Sequence, residues 1–345
     1  MYLFCFGTRP EIIKQFPLIE EMKKRKIPYK TLFSGQHEDL IRDFINLVGE
    51  PSYSFENIIT HGQSLNRLVS KILEKTDKLL KDNNEFKIVV QGDTSTAFAV
   101  ALAGFQNGND IIHVEAGLRT HNLMSPFPEE ANRTLVSKLA SIHFCPTQRS
   151  VDNLASEGLN ENVYLVGNTI VDSFNLISKK NLESDKIKNL VKTNDNYIIC
   201  TLHRRENRKN MEILWEELNN LSKSRNIIYI NHPSVKQAKN KLSKKVTLIE
   251  PINYIDIVYL IENCSGVISD SGGMQEEVLS ANKNILVCRD TTERPETIES
   301  GLGKLVGTEI NKNIEFLNKK SSNIENPYGK EVSTKIVDIL QDIGV

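Results

Sequence analysis

The sequence predicts an α/β protein built from two Rossmann-like, doubly wound parallel-sheet domains, and three observations predict it. Short runs rich in apolar and β-branched residues recur along the chain, most of them apolar without interruption, the pattern of strands covered on both faces. Between them lie segments of helical spacing, such as Leu65, Leu68, Val69, Ile72, Leu73 and Met211, Leu214, Trp215, Leu218, Leu221. These supply the crossovers that a parallel sheet requires. At 345 residues the chain is also too long for one comfortable core.

The strand-like runs fall into two series. The first is 3–6, 30–34, 87–93, 110–117, 141–147 and 163–168, and the second is 197–203, 226–232, 246–251, 266–272, 284–290 and 304–307. Six precede and six follow a polar, lysine- and asparagine-rich stretch at 178–196, which predicts domains at 1–168 and 169–329. Residues 318–329 read as a polar loop before a last short helix from Val332 to Ile343. In open α/β sheets ligands bind beyond the carboxyl ends of the strands, and the motifs below all fall there.

Composition narrows the function. Lysine plus arginine (43) nearly balances aspartate plus glutamate (44), so no global field favours nucleic acid or an anionic membrane. Any bound anion must be met by local groups. The five cysteines, Cys5, Cys145, Cys200, Cys264 and Cys288, lack C-x-x-C spacing, and Cys5, Cys200 and Cys288 sit inside apolar runs. They read as reduced core residues of a cytoplasmic protein. No signal-like segment precedes the run Tyr2 to Phe6, and no apolar stretch approaches the roughly 20 residues that span a bilayer.

The first run ends at Gly7, and Thr8-Arg9-Pro10-Glu11 precedes the helical spacing Ile12, Phe16, Ile19. This is a capping box with proline in the first turn, and Pro17 is expected to bend the helix. Arg9 then stands at a helix N-terminus with Lys14 a turn or so on, which suits a phosphate as well as it suits a plain capped helix. The run SDSGGMQEE (269–277) leaves a strand through Ser271-Gly272-Gly273 and enters a second helix, where backbone N–H groups can meet a diphosphate. Glu277 stands about one turn in, where an acidic residue can accept ribose hydroxyls.

Asp93, Glu115 and Glu129 stand at strand ends or in the loops after them, where carboxylates are awkward unless paired or used. Arg119 and Arg133 are the competing structural partners. His203, Arg204 and Arg205 stand at another strand end, and RDTTERPE (289–296) adds Arg294, a set that fits a dianionic ligand. No G-x-G-x-x-G follows a strand and no P-loop is present, so neither a nicotinamide cofactor nor P-loop phosphoryl transfer is expected. The seven histidines show no metal-ligand spacing, and His113, in a buried strand, reads as a satisfied core histidine.

Taken together, GTRPEIIK, SGQH, QGDTST, HVEAGLRT, PFPEEANRT, VGNTIVD, HRREN, SDSGGMQEE and RDTTERPE resemble, in order and over nearly the whole chain, the non-hydrolysing UDP-N-acetylglucosamine 2-epimerases. That resemblance implies a glycosyltransferase-B-like fold, a final helix (330–345) that packs back on the first domain, and interconversion of UDP-GlcNAc and UDP-ManNAc without a cofactor. It implies a homodimer working on soluble nucleotide-sugar for cell-surface polysaccharide synthesis. By similarity Arg9, Lys14, Arg204, Ser271, Gly272, Gly273, Glu277 and Arg294 hold the UDP. Asp93, Glu115 and Glu129 carry the chemistry, with His203, also set against the UDP, counted beside them. A hydrolysing epimerase, a 2-epimerase of a 6-deoxy or diacetamido UDP-sugar, and a glycosyltransferase of the same fold are the alternatives.

Members of the family that respond to a second UDP-GlcNAc use a Gln-His loop and a GQ-[ST]-L stretch with an arginine in the following helix. Here Gln36, His37 and Gln63 are present, with His232 from the second half, but Lys71 stands where that arginine is expected. HRREN also continues as NRKNME without the usual glycine. Lysine does not reproduce a planar two-donor fork, so weakened or absent activation is expected.

Overall fold

The computed structural model describes the chain except for residues 37–44, 46, 47, 61, 82, 84, 236, 320–323 and 345. Its contacts divide it into two units, Met1–Ser173 with Tyr328–Val345, and Phe174–Pro327. In the first unit the described elements are β1 (Tyr2–Phe6), α1 (Arg9–Arg25), β2 (Tyr29–Phe33), β3 (Tyr53–Ser54), α2 (Leu65–Lys81), β4 (Lys87–Gln91), α3 (Ser95–Gln106), β5 (Ile111–Val114), α4 (Glu129–Leu139), β6 (Ile142–Cys145), α5 (Gln148–Ser156) and β7 (Val163–Leu165). Helix α6 (Ile170–Ser178) leads into the second unit.

Among the described residues the first sheet has seven strands in the order β3-β2-β1-β4-β5-β6-β7, all parallel. Strand β3 is the one the sequence reading missed, because two residues carry no periodicity. Pairing of Tyr2 with both Tyr29 and Lys87 places β1 between β2 and β4. The chain therefore winds one way after β1 and the other way after β4, and the switch point lies between them. Leu3, Cys5, Leu32, Ile88, Val90, Val100 and Ile111 are buried between sheet and helices. Gly104 lets α3 press onto that sheet, since a Cβ there would stand 2.4 Å from Ile88 Cδ1.

The second unit continues with α7 (Asp185–Thr193), β8 (Ile198–Thr201), a 3-10 turn at Arg205–Asn210, α8 (Met211–Leu221), β9 (Ile227–Ile230), α9 (Ala238–Lys241), β10 (Val246–Ile249), α10 (Tyr254–Asn263), β11 (Gly266–Ser269), α11 (Gly272–Ser280), β12 (Ile285–Val287), α12 (Pro295–Glu299), β13 (Gly303–Leu305) and α13 (Ile310–Asn313). Its six described strands run β10-β9-β8-β11-β12-β13, again all parallel, so the switch point lies between β8 and β11. Trp215, Leu214, Leu218, Tyr229 and Ile268 form its core.

The last helix, α14 (Val332–Asp342), belongs to the first unit. Arg25 of α1 donates to Asp338 at 2.6 Å and to Gln341 at 2.8 Å, and Asp172 accepts from both N–H and hydroxyl of Ser333 at 2.6 Å. All five cysteines are buried and unpaired by disulfides. Among the described residues no helix is long and apolar enough to cross a membrane, and no group of His, Cys, Asp or Glu has the arrangement of a metal site.

Candidate active site

In the first unit the groups gather at the carboxyl ends of β1, β4 and β5. Glycine at position 7 lets the turn pass close to its neighbours: a Cβ would lie 2.1 Å from Ser34 Oγ and 2.2 Å from Thr96 Oγ1, and both hydroxyls would have to move. Thr8 caps α1, and Glu11 reaches back as the sequence predicts, its Oε2 accepting from Gly7 N–H at 3.0 Å and from Thr8 N–H and hydroxyl at 2.8 Å. Its other oxygen goes further and accepts from the Thr94 hydroxyl at 2.6 Å, tying the start of α1 to the loop after β4. Burial pushes Glu11 up to about 7 in spite of these donors. Arg9 is the half-buried first residue of α1.

Lys14 does not stand open for a phosphate. Its buried ammonium grips both oxygens of Glu115 at 2.8 Å, and the Gln91 amide donates to the same carboxylate. Glu115 is buried and adopts a left-handed backbone, φ +63°. A non-glycine residue held there costs about 1–3 kcal/mol, and such strain is found where a side chain must be aimed. Asp93 pairs with Arg133, the structural partner offered by the sequence reading, and its carbonyl accepts from Asn132 at 2.9 Å. Arg119 instead pairs with Glu157 at 2.7 Å, and not with any of the three carboxylates. Glu130 anchors the preceding loop through the N–H groups of Thr120 (2.8 Å) and His121 (2.9 Å), and lies 3.3 Å from Arg133. Glu129 opens α4, and its buried Oε2 has no hydrogen-bond partner among the described residues.

In the second unit the groups gather at the ends of β8 and β11. The organiser is Asp270, fully buried, which accepts from the N–H groups of His203 and Arg204, both at 3.0 Å, and from Asn207 at 2.9 Å. Its place in SDSGG was visible, but only the fold shows that it holds the HRRE loop. The His203 ring stacks on His232 with centroids 4.6 Å apart and planes at 17°. Burial lowers the His203 pKa, reinforced by His232 and Arg204, while Asp270 opposes the shift.

Ser271 caps α11, its hydroxyl accepting from Met274 N–H at 3.4 Å. Gly273 is exposed, with no atom closer than 4.0 Å to where a Cβ would stand, so a ligand has room above the free N–H groups of the helix start. Gly272 has no such room: a Cβ would come 2.8 Å from Glu293 Oε1 and 3.1 Å from Arg204 Nη2. Glu293 binds Arg204 at 3.2 Å and Arg289 at 2.5 Å. Burial raises its pKa, but Arg294, Arg289 and Arg204 outweigh this and hold it at about 2. Arg294 also donates to buried Glu276, and Glu277 is half-buried on the same helix. Glu276, Glu293 and Asp270, none of them singled out in the sequence, thus order the arginines that were.

The residues suggested for a second ligand are not gathered in one unit. His37 lies outside the described residues. Gln36 accepts from Thr96, Gln63 accepts from the Thr60 N–H at 3.2 Å, and His232 lies in the second unit. Lys71 directs its ammonium to Asn57 O (2.9 Å), Ile58 O (3.1 Å) and the Thr60 hydroxyl (3.0 Å).

The sequence matches the family model described as UDP-N-acetylglucosamine 2-epimerase over residues 20–341. It is 39% identical, over 99% of both chains, to the UDP-N-acetylglucosamine 2-epimerase of Salmonella borreze. The structure is similar to the Neisseria meningitidis UDP-GlcNAc 2-epimerase bound to UDP-GlcNAc, with a TM-score of 0.88, 37% identity and 99% of each chain covered. It is likewise similar to the Methanocaldococcus jannaschii UDP-GlcNAc 2-epimerase in complex with UDP-GlcNAc and UDP, with a TM-score of 0.87, 34% identity and coverage of 99% of this chain and all of that one.

Proposed function

The chain belongs to the UDP-N-acetylglucosamine 2-epimerase family, and on that premise we propose that it interconverts UDP-GlcNAc and UDP-ManNAc without hydrolysis. A carboxylate removes the C2 proton while the C1–O bond breaks and UDP departs with its electron pair, leaving 2-acetamidoglucal. UDP then adds back to C1 as a proton returns to the other face of C2. The C2 proton is only weakly acidic, so its removal must be coupled to departure of the diphosphate. In this reading the Ser271-Gly272-Gly273 helix start, Arg9, Arg204 and Arg294 stabilise the charge that develops on the leaving group. Lys14 serves by holding Glu115. In the same reading His203, whose pKa is lowered by burial, takes its place against the nucleotide.

The observation that carries the proposal is the acidic set at the end of the first sheet. Asp93 and Glu115 are fixed by Arg133 and Lys14, while Glu129 keeps a carboxylate oxygen out of water with no hydrogen-bond partner among the described residues. A buried oxygen left without a partner is costly in a merely structural role and leaves a lone pair open to accept a proton. The setting implied is the cytoplasm, with the enzyme acting as a homodimer. Proton NMR of UDP-GlcNAc with enzyme in D2O tests the reading: UDP-ManNAc must appear with deuterium at C2. Free ManNAc with UDP would mean hydrolysis, and consumption only with an added acceptor would mean glycosyl transfer.

A further inference from the structure

His113 has no part in the chemistry just described, yet its position is unusual for a core histidine. It lies in β5, fully buried, two residues before Glu115. Its Nε2 stands 2.9 Å from the carbonyl oxygen of Gly92, which can only accept, so the imidazole must carry its proton on Nε2 and donate. Burial, reinforced by His143, Arg119 and Arg133 and opposed by the Gly92 bond, lowers its pKa to about 3. Gly92 itself adopts φ +67° in the turn between Gln91 and Asp93, and its N–H donates to Val114 O at 3.0 Å. Strand β5 therefore grips Gly92 on both sides, by a backbone carbonyl and by an imidazole N–H. The next peptide is held from α4, where Asn132 binds Asp93 O.

We infer that His113 is a positioning residue for Asp93: its Nε2–H fixes the Gly92 carbonyl and so sets the direction in which the Asp93 carboxylate leaves the turn. The inference rests on the proposed role of Asp93. An aromatic ring of similar size without a donor would fill the same space in the sheet, so filling space is not the reason for an imidazole here. A buried imidazole without a matched acceptor is costly, and this one has a single acceptor placed beside a functional carboxylate.

The test compares His113→Phe, which keeps a ring and removes the donor, with His113→Gln, which places an amide N–H near the position of Nε2. With UDP-GlcNAc as substrate, His113→Phe should lose roughly tenfold or more in kcat, as expected when a reacting group is misplaced, with the UDP Kd unchanged. His113→Gln should recover most of that loss although its thermal stability is no better. Hydrogen exchange of the Asp93–Ala97 amides, measured on the same proteins, should quicken in His113→Phe and return towards wild type in His113→Gln. That measurement does not depend on turnover. If the wild-type protein proves inactive the functional reading fails, and the exchange result alone still decides whether His113 holds the turn. Equal losses in both variants that track their melting temperatures, or exchange at this turn unchanged in His113→Phe, would overturn the inference.

Discussion

Replacing Glu11 with glutamine should make the stability of the first unit less dependent on pH, and the size of the change follows from the structure. The carboxyl is fully buried and its pKa stands at about 7 against an ordinary 4.5. A displacement of this size, at about 1.4 kcal/mol per pH unit, corresponds to about 3 kcal/mol. The sign is set by where the proton is held. The folded protein keeps it more tightly than the unfolded chain, so the stabilisation is fully present below pH 4.5 and is lost as pH rises to 7. Glutamine carries no charge, but its carbonyl serves only the Gly7 and Thr8 donors, and its amide must face Thr94 Oγ1, a rearrangement costing about 1–2 kcal/mol. The variant should therefore be less stable than wild type at pH 5 by about that amount, and more stable by about 1–2 kcal/mol at pH 8.5. Tryptophan fluorescence would miss this, because the only tryptophan, Trp215, belongs to the second unit. Native-state hydrogen exchange of the β1 and β4 amides, compared between the two proteins at each pH, reads the right unit. A difference that is the same at pH 5 and pH 8.5 would refute the reasoning.

Other substitutions probe the site more directly. Glu129→Gln should lower turnover at least about 100-fold while UDP still binds, and Asp93→Asn and Glu115→Gln should do likewise. Near-normal rates in all three variants would remove catalysis from this set. Gly272→Ala should leave the melting temperature nearly unchanged, since the atoms it meets are side-chain ends, yet weaken UDP binding about tenfold by calorimetry. An unchanged affinity would show that no ligand uses that turn. With the Lys71 ammonium committed to Asn57, Ile58 and Thr60, the rate should rise hyperbolically with UDP-ManNAc alone. A sigmoidal curve with full dependence on added UDP-GlcNAc would show that activation survives the loss of the arginine.

The strands were legible because buried parallel strands are apolar on both faces: twelve of the thirteen described ones fall on the runs read from the sequence, most of which show this pattern. The capping box at Thr8 and Glu11 was equally plain, since it is a local contract between residues three apart. What the sequence did not reveal were contacts between distant segments. Lys14 reads as a phosphate ligand until β5 brings Glu115 against it, 101 residues away. Asp270 and Glu293 look like ordinary acidic residues until the sheet places one under the His203 loop and the other among three arginines. The left-handed backbone of Glu115 left no trace either, because the sequence offers no glycine there to mark it.

The closing of the first unit by α14 has a consequence for how the protein is made. Val332, Ile336, Val337 and Leu340 are buried, and Asp172 and the Nη1 of Arg25 have partners that lie beyond Tyr328. During synthesis the ribosome must first translate all of Phe174–Pro327, which at about 5–20 residues per second takes roughly 8 to 30 s. Throughout that interval the surface that buries Val332, Ile336, Val337 and Leu340 in the finished protein stays uncovered. Shortening or bulky tagging near α14 should therefore damage the yield of a unit whose other residues were made first.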